Sequence, residues 1–561
     1  MGVYPAKGET ALNETLWQVI PPDSAVVLYF GCGDGSGAEV LRRRNPKMQL
    51  IATELDIAKQ EQAGKFGFPV LNSAEALLQY LENLGLSIDA WIVEQSAWQD
   101  ETFTRCLRER IFSRLREGAT LAWQVANVQN WQYLLRLMTG RAAGEVRHNL
   151  EELLTEWQAA GVNEHKLKKL LSGNRQSFQR FLQQMQSLIT ALPDPQDKLV
   201  DRLETEGYVM VGWRRMKKRE PLHITAIMGE TKVCARVRID EPHAFLATLP
   251  RVTCRRYSLG EKIESLERGR QVWIWQRLLI PKDQMVIWQR DRLAKKILTV
   301  QEWDDDPLHW EEHFRQSDFF ALRSAHGIQT STPALAEYLR QFNPEVKIFP
   351  NCIAALPPLP KKTDQSVTIF YGALNRQDDW LQIMPALNRV LHRHGVRVKI
   401  VVVWDQAFFD AASTENKHFE PFCDYPRYCE LLQHSDICLL PLLPTRFNRM
   451  KSDLKFLESA ASGAVALANP TVYEDTLIDG VTGVLYRGED EFEENLTKLI
   501  DDASLRQRLS GNAWEWVKQH RLLSAHYRER LEWYETLFER YEELTEAIRD
   551  RAPEMRDVIS V

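Results

Sequence analysis

The sequence predicts an α/β protein built from three Rossmann-like domains. Apolar runs of strand length alternate with helical patterns in three successive blocks, as expected for parallel sheets covered by helices. At 561 residues the chain can hold roughly three to four domains of ~150 residues each. Glycine-rich or small-residue turns follow strands in the first and third blocks, and such turns let a ligand approach the backbone closely.

The three blocks are bounded by the positions of their predicted strands. The first, residues 1–218, has strands predicted at 25–30, 49–53, 88–94, 120–125 and 208–213, and a helical insertion at about 146–205. The second, residues 221–360, has strands predicted at 223–228, 272–276, 297–301, 327–330 and 346–349. The third, residues 361–520, has strands predicted at 367–371, 398–404, 437–440, 465–468 and 484–486, and a helical tail follows at 521–561.

The insertion carries an amphipathic helix whose apolar side chains recur at spacings of three and four. They are Phe178, Phe181, Leu182, Met185, Leu188, Ile189 and Leu192. Such a stripe must cover apolar surface. It packs on its own or the next domain, or it forms a dimer, and the first alternative is favoured.

Charge and composition exclude several classes of function. Charged residues make up 26% of the chain, the net charge is -6, and both signs are spread along the sequence, so non-specific nucleic-acid binding is not expected. No run of about 18 apolar residues occurs and the first residues lack the apolar core of a signal peptide, which predicts a soluble, cytoplasmic protein. Eight cysteines without a Cys-x-x-Cys pair predict free thiols. Peripheral membrane contact and homo-oligomerisation remain open.

The segment from Lys451 to Glu458 is the most informative stretch of the third block. It reads as the start of a helix, and Lys455 and Glu458 are three residues apart, on one helical face. Lys451 extends that face if the helix begins early enough. Lysine charge at a helix start suits a phosphate, and a carboxylate one turn on can accept hydrogen bonds from sugar hydroxyls. The two interpretations are a nucleotide-sugar site and a solvated surface pair.

In the first block, a predicted strand leads into a glycine-rich turn that contains Gly31, Gly33 and Gly35. The next predicted strand ends at Glu54, where a carboxylate can hold ribose hydroxyls. Together with the segments 88–93, 115–118, 127–131 and 139–141, these residues resemble the class I S-adenosylmethionine-dependent methyltransferases over about the first 140 residues. The resemblance implies an S-adenosylmethionine site at these three glycines and Glu54.

Two positions depart from the methyltransferase pattern. Tyr29 stands where the family has an acidic residue near the cofactor's amino group, and Ser73 stands at or near the acidic residue that recognises adenine. Each lost carboxylate removes charge-assisted hydrogen bonds worth roughly 1.5–3 kcal/mol. The first domain is therefore either a degenerate scaffold or a working methyltransferase.

The second and third blocks together resemble a GT-B glycosyltransferase, in which two Rossmann-like domains face each other across a cleft. The resemblance runs through residues 327–335, 348–351, 371–376 and 451–468. It implies that the third block binds a sugar nucleotide and that Glu458, the second glutamate of the family's Glu-x7-Glu motif, holds the ribose. The implied donor-binding set is Gly372, Asn375, Arg376, Lys451, Lys455 and Glu458.

The glycosyltransferase pattern is incomplete in this chain. Met450 replaces the first glutamate of the motif, and Ala373 and Asp378 replace the usual arginine and lysine after the first strand of the third block. Arg376, Lys451 and Lys455 are the cations left to neutralise a diphosphate, which leaves without a protein nucleophile. The resemblance implies transfer without an essential metal, and retention is favoured over inversion.

Candidate catalytic residues lie in the second block. Asp304 begins a run of three aspartates after a predicted strand, which either ligates a divalent ion or forms a turn and helix start at Asp306 and Pro307. The turn or acceptor-cleft interpretation is favoured, and no metal is expected. His326 is the best candidate base among the histidines of this block. Arg236 and Arg238 either meet an acidic acceptor or lie on a solvated strand edge, the second being favoured.

Two functional hypotheses follow, with a third below them. The leading one is a cytoplasmic glycosyltransferase that builds a surface glycan or decorates a lipid-linked or protein acceptor, with the first domain as a scaffold. The second is a bifunctional enzyme that transfers a sugar and also methylates. A purely structural protein is least favoured, because it would leave Arg376, Lys451, Lys455 and Glu458 without a role.

Overall fold

The computed structural model describes residues 14–138, 148–171, 175–191, 196–216, 220–229, 232–263, 268–362 and 366–557. Contacts divide the chain into two compact units, one built largely from the first 219 residues and one from residue 220 onward. Among the described residues, no helix is long and apolar enough to cross a membrane. All eight cysteines lie in the described part, and all are free.

The first unit contains a seven-stranded sheet. Its strands are β1 (Val26–Phe30), β2 (Gln49–Thr53), β3 (Val70–Leu71), β4 (Ile88–Val93), β5 (Leu115–Ala126), β6 (Val162–Leu171) and β7 (Thr205–Arg214). The order is β3-β2-β1-β4-β5-β7-β6, and β7 runs antiparallel to both neighbours while the other pairs are parallel. The α-helices are Glu14–Gln18, Ser36–Arg44, Ile57–Gly64, Ala74–Leu84, Arg105–Arg114, Trp131–Met138, Leu150–Ala159, Arg175–Ala191 and Gln196–Glu204.

The predicted insertion at 146–205 is not wholly helical. It contains the edge strand β6, whose polar and charged residues are mostly exposed, so no apolar alternation marks it in the sequence. The apolar stripe covers its own domain, because Phe178 and its neighbours pack against Trp131 and Leu203. The packing alternative is thus confirmed for Phe178, Phe181, Leu182 and Met185. Leu192 and the side chains of Leu188 and Ile189 lie outside the described residues.

The second unit contains two six-stranded parallel sheets. The first is built from β8 (Leu222–Met228), β9 (Val252–Ser258), β10 (Arg270–Gln276), β11 (Leu298–Glu302), β12 (Gly327–Thr330) and β13 (Val346–Ile348), in the order β13-β12-β11-β10-β8-β9. Its α-helices are Lys232–Ala235, Glu241–Leu246, Lys282–Ala294, Glu311–Gln316, Phe320–Arg323 and Pro333–Leu339, with a π-helical segment at Arg236–Asp240 and a 3-10 helix at Pro307–Trp310.

The other sheet of this unit is built from β14 (Val367–Gly372), β15 (Val398–Val403), β16 (Lys417–Glu420), β17 (Ile437–Leu440), β18 (Val465–Ala468) and β19 (Val484–Leu485). The order is β16-β15-β14-β17-β18-β19. Its α-helices are Gln377–Leu381, Met384–His394, Gln406–Ala411, Tyr425–Gln433, Arg446–Arg449, Leu454–Ala461, Pro470–Tyr473, Glu489–Asp501 and Ala503–His520. Three parallel-rich, helix-covered sheets confirm the predicted fold class.

The tail is helical, as predicted, over Leu523–His526, Arg528–Glu539 and Tyr541–Arg551. It returns to the sheet of β8–β13, where the Tyr534 hydroxyl donates to Gln329 at 2.7 Å. A Cβ added at Gly327 would lie 2.8 Å from the Trp533 ring, so the glycine lets this helix approach β12 closely. The tail therefore ties the two sheets of the second unit together.

Candidate functional site

The loops that follow β14 and β17 carry the candidate donor-binding residues at one edge of their sheet. Parallel strands end at a common edge, where open α/β sheets bind their ligands. Gly372 ends β14, and a Cβ there would lie 2.9 Å from the Tyr428 ring, so only glycine permits this packing. Asn375 has a φ of 55°, in the left-handed region that asparagine tolerates better than most side chains. This turn places Arg376 at the start of the helix Gln377–Leu381.

Arg376 is held in place by a buried polar network. Its guanidinium donates to the Asn448 side-chain oxygen at 2.6 Å and to Asp379 at 3.2 Å. Asn448 in turn donates to Asp379 at 2.7 Å, and the Leu443 amide donates to the same carboxylate at 2.9 Å. The network fixes the guanidinium, which keeps 21% of its side-chain surface exposed. Arg376 therefore presents an oriented charge at the sheet edge.

Lys451 does not share a helical face with Lys455, because the helix begins only at Leu454. Its ammonium instead donates to both carboxylate oxygens of Asp305 at 2.6 Å. This contact joins the loop after β17 to the loop after β11. Burial lowers the pKa of Lys451, although Asp305 opposes the shift. The expectation that Lys451 extends the helical face of Lys455 and Glu458 is therefore wrong.

The three aspartates after β11 are each paired with a cation. Asp304 pairs with Arg277 at 2.5 Å, Asp305 with Lys451, and Asp306 with Arg446 at 3.2 Å. Asp306 also accepts from the Leu308 amide at 3.0 Å, with Pro307 opening the 3-10 helix. The turn interpretation is thus confirmed. Within the described ranges, no group of three or more histidine, cysteine, aspartate or glutamate side chains could hold a metal ion.

Lys455 and Glu458 face each other across one helical turn, as their spacing predicts. The ammonium lies 3.4 Å from Glu458 Oε2 and donates to the Tyr428 hydroxyl at 2.8 Å. The Glu458 residue is only 5% exposed, and its Oε2 atom accepts no hydrogen bond from any described residue. A buried carboxylate oxygen with unused acceptor capacity suits a ligand hydroxyl.

The π-helical segment of the other sheet contributes Arg236 to the same region. Its guanidinium lies 3.6 Å from the centroid of the Tyr425 ring and pairs with Glu241 at 2.8 Å. Burial raises the pKa of Glu241 to about 7, against the opposing effect of Arg236. The two lobes of the second unit therefore meet beside Glu458, whose charge also contributes to the Glu241 shift.

Arg238 is buried, so the expectation of a solvated strand edge is wrong. It lies within the π-helical segment and donates to Glu302 at 2.8 Å, to the Phe349 carbonyl at 2.6 Å and to the Asn351 side chain at 2.9 Å. Gln329 completes the partners of Glu302 by donating at 2.6 Å. This network stabilises the ends of β11 and β12.

His326 occupies a position that does not fit a catalytic base. It precedes β12, at the edge of the sheet opposite to the ends where the aspartates lie, and it is fully buried. Its Nδ1 is 3.0 Å from the Thr299 amide and its Nε2 is 3.3 Å from the Thr545 hydroxyl, in the tail. Burial lowers its pKa to about 3. The surrounding contacts give His326 a packing role, and we do not retain it as a base.

Phe447 is one of the residues at this site that the sequence did not single out, as are Asp379, Asn448 and Tyr428. Its ring lies 4.2 Å from the Lys451 ammonium, 5.5 Å from the Arg376 guanidinium and 5.3 Å from the ring of His309. His309 therefore reaches this edge of the sheet. A lone phenylalanine in a polar loop carries no signal that distinguishes it from an ordinary apolar contact.

The first unit brings Gly31, Gly33, Gly35 and Glu54 together. All three glycines have positive φ, between 61° and 86°. Glu54 accepts from the Gly33 amide at 2.7 Å and from the Asp56 amide at 3.0 Å. Both carboxylate oxygens are thus used by the backbone of the loops that they hold.

Tyr29 and Ser73 have structural partners. The Tyr29 hydroxyl donates to Glu94 at 2.8 Å, and a Cβ added at Gly37 would lie 2.9 Å from that hydroxyl. Burial raises the pKa of Glu94 to about 7. Ser73 caps the helix Ala74–Leu84 by accepting from the Ala76 amide at 3.1 Å. A tyrosine and a buried carboxyl therefore fill the place where the methyltransferase pattern has an acidic residue.

One family model matches the C-terminal part of the chain. Residues 376–556 match the family model described as glycosyl transferase-like, which confirms the resemblance of this part to glycosyltransferases. No curated protein matches the chain.

Three solved structures give partial matches to the chain. A TarM variant from S. aureus, in complex with fondaparinux, alpha-GlcNAc-glycerol and UDP, is 13% identical, with a TM-score of 0.37, and the match covers 48% of this chain and 55% of that one. Anabaena Alr3699/HepE, in complex with UDP and glucose, is 13% identical, with a TM-score of 0.42 and coverages of 57% and 99%. A SAM dependent methyltransferase from Archaeoglobus fulgidus is 14% identical, with a TM-score of 0.27 and coverages of 35% and 88%. The chain thus spans about half the length of TarM.

Proposed function

We propose that this protein is a glycosyltransferase that moves a sugar from a nucleoside-diphosphate sugar to a glycan, lipid-linked or protein acceptor, with retention of configuration. The observation that carries the proposal is Glu458. It is a nearly buried carboxylate whose Oε2 pairs with Lys455 at 3.4 Å but accepts no hydrogen bond from any described residue, in the segment that matches the glycosyl transferase-like model.

The diphosphate of the donor would lie among Arg376, Lys451 and Lys455. Arg376 is fixed by Asn448 and Asp379, so its guanidinium needs little reorganisation when charge develops on the leaving group. Fixed cations of this kind stabilise a departing diphosphate without a protein nucleophile. Lys451 donates to both carboxylate oxygens of Asp305, so a bound diphosphate has to compete with that carboxylate for its ammonium.

The ribose would be held by Glu458. A carboxylate that accepts from a vicinal diol gains two charge-assisted hydrogen bonds, the strong class of such bonds. Retention requires the acceptor to attack from the face that the diphosphate leaves. Met450, which replaces the family's first glutamate, is 8% exposed and packs with Trp303 and Phe314, so another residue must contact the donor sugar. Nuclear magnetic resonance of the product's anomeric proton tests retention directly.

We infer that the first unit serves as a scaffold or acceptor-handling module. The Tyr29–Glu94 hydrogen bond and the engagement of Glu54 by two backbone amides support this role over S-adenosylmethionine binding. The bifunctional alternative rests on the retained glycine turn with its three positive φ angles. S-adenosylmethionine binding in the micromolar range would favour that alternative.

Titration calorimetry with uridine, guanosine and thymidine diphosphates and with S-adenosylmethionine tests both proposals in the same protein. We expect one diphosphate to bind and S-adenosylmethionine not to bind. If no nucleoside diphosphate binds, the transferase proposal fails, whatever S-adenosylmethionine does.

A further inference from the structure

Two aromatic rings stack at the ligand-binding edge of the sheet of β14–β19. Trp404 directly follows β15 and Phe422 lies two residues beyond β16, and their centroids are 4.8 Å apart with ring planes at 4°. The Trp404 amide donates to the Glu420 carbonyl at 3.0 Å, which extends the pairing of the two strands up to the aromatic pair. The pair therefore projects from the same edge as Gly372 and Arg376.

Phe422 has an unusual exposure for an aromatic ring, and Trp404 has an unusual backbone conformation. Phe422 is 68% exposed, although burial of an aromatic ring is favourable. Trp404 has a φ of 75°, a left-handed conformation that is strained for a bulky side chain. Strained backbone of this kind concentrates at ligand-binding sites. Asn375, on the neighbouring strand end, has a left-handed φ as well.

Trp404 packs against the same apolar cluster as two tyrosines that border the proposed donor site. Tyr425 follows Phe422 by three residues and stacks on Tyr428, with centroids 5.9 Å apart. The Lys455 ammonium lies 4.4 Å from the centroid of the Tyr428 ring and 3.4 Å from Glu458. A stacked aromatic pair, a carboxylate and an ammonium are thus grouped on this part of the sheet. A nucleoside diphosphate presents a π face, a ribose diol and two phosphates, which these three kinds of group can bind.

We propose that Trp404 and Phe422 form the platform on which the nucleobase of the sugar nucleotide stacks, with Phe422 supplying the outer face. This inference rests on the proposed function, because it assigns the base-binding part of the same site. Stacking is tolerant of the base, since every base has a π face. The platform therefore contributes affinity, and the choice of base must come from polar groups.

The test compares Phe422→Ala, Phe422→Tyr and the control Val396→Ala. Val396 is 91% exposed and precedes β15 at the opposite edge of the sheet, so its truncation also removes exposed apolar surface. The probes are inorganic pyrophosphate and the nucleoside diphosphate that the unaltered protein binds best. We expect Phe422→Ala to weaken the nucleoside diphosphate about tenfold by calorimetry. Pyrophosphate affinity should stay unchanged in every variant, and Phe422→Tyr and Val396→Ala should behave like the unaltered protein.

Three results would overturn the inference, and they point to different failures. If Phe422→Ala leaves the affinity for the nucleoside diphosphate unchanged, the stacking platform is refuted, whereas the proposed function is not. An equal loss for pyrophosphate shows that the substitution disturbs the phosphate site instead. Failure of the unaltered protein to bind any nucleoside diphosphate refutes the proposed function and the platform with it. Phe422 is exposed, so its truncation leaves no cavity, and an unchanged melting temperature verifies that the variant is folded.

Discussion

At the scale of single residues, Glu458 carries the sharpest prediction. Glu458→Ala removes the acceptor of the ribose hydroxyls, and charge-assisted hydrogen bonds are worth about 1.5–3 kcal/mol, so nucleoside diphosphate affinity should fall about ten- to hundredfold. Calorimetry measures the loss. The matched control is Glu494→Ala, which removes an exposed carboxylate from the helix Glu489–Asp501 of the same domain and should leave the affinity unchanged. Equal affinities in the two variants would rule out Glu458 as the ribose ligand.

Glu94 provides a second residue-scale prediction, in the first unit. Burial raises its folded-state pKa from 4.5 to about 7, so between these values the folded state binds a proton that the unfolded state has released. The free energy of unfolding of this unit should therefore fall as pH rises from about 4.5 to 7, by at most about 3 kcal/mol. Glu94→Gln removes this titration and still offers an acceptor to Tyr29.

Scanning calorimetry of the full chain at pH 5 and pH 8 measures the effect. The melting temperatures of the first unit in the unaltered protein and in Glu94→Gln should differ more at pH 8 than at pH 5. At pH 8 the variant should have the higher melting temperature. An equal difference in melting temperature at the two pH values would show that Glu94 is ionised in the folded protein throughout this range.

The residues of the candidate site also show the limits of sequence reasoning. Lys455 and Glu458 were predicted to face each other because helical spacing alone brings them together, and they do. The Lys451–Asp305 contact joins residues 146 positions apart, so no local sequence pattern predicts it. His326 was selected because it stands next to a strand, but the sequence does not state which end of that strand faces the ligand or that the tail covers it.

At the scale of elements, burial decided which strands could be predicted. β2, β12, β17 and β18 have the predicted bounds, because each is a nearly continuous run of buried residues between turn signals. The missed strands β3, β6, β9 and β16 all lie at sheet edges and are partly or largely exposed. An edge strand hydrogen-bonds on one side only and needs no apolar pattern, so its pairing depends on a partner that is distant in sequence.

The last long helix of the tail carries the element-scale prediction. Tyr541–Arg551 buries Ile548 completely among Trp273, Phe320 and other side chains of the β8–β13 sheet. Ile548→Ala should therefore lower the free energy of unfolding by about 2–5 kcal/mol through the lost contacts and the cavity left behind. Urea denaturation measures this against Asp550→Ala, an exposed control on the same helix. Similar stabilities of the two variants would mean that the helix does not dock as described.

At the scale of the whole molecule, the two compact units are expected to respond separately to ligands. A ligand that binds only the folded state stabilises by about 2.7 kcal/mol at a free concentration of 100 times its Kd. Arg376, Lys451, Lys455 and Glu458 all belong to the second unit, whereas the glycine turn and Glu54 belong to the first. A nucleoside diphosphate should therefore raise the melting temperature of the second unit alone, and S-adenosylmethionine should raise neither.

Differential scanning calorimetry of the full chain distinguishes these responses, with the first unit's transition identified by its shift in Glu94→Gln. A nucleoside diphosphate that moved the first unit's transition as strongly as the second's would contradict the assignment of the donor site to the second unit. A shift of the first unit by S-adenosylmethionine would support the bifunctional alternative, with Glu54 accepting from the cofactor's ribose while it keeps its bonds from the Gly33 and Asp56 amides. A shift of the second unit by a nucleoside diphosphate, with no shift of the first unit by S-adenosylmethionine, is the result expected for a scaffold.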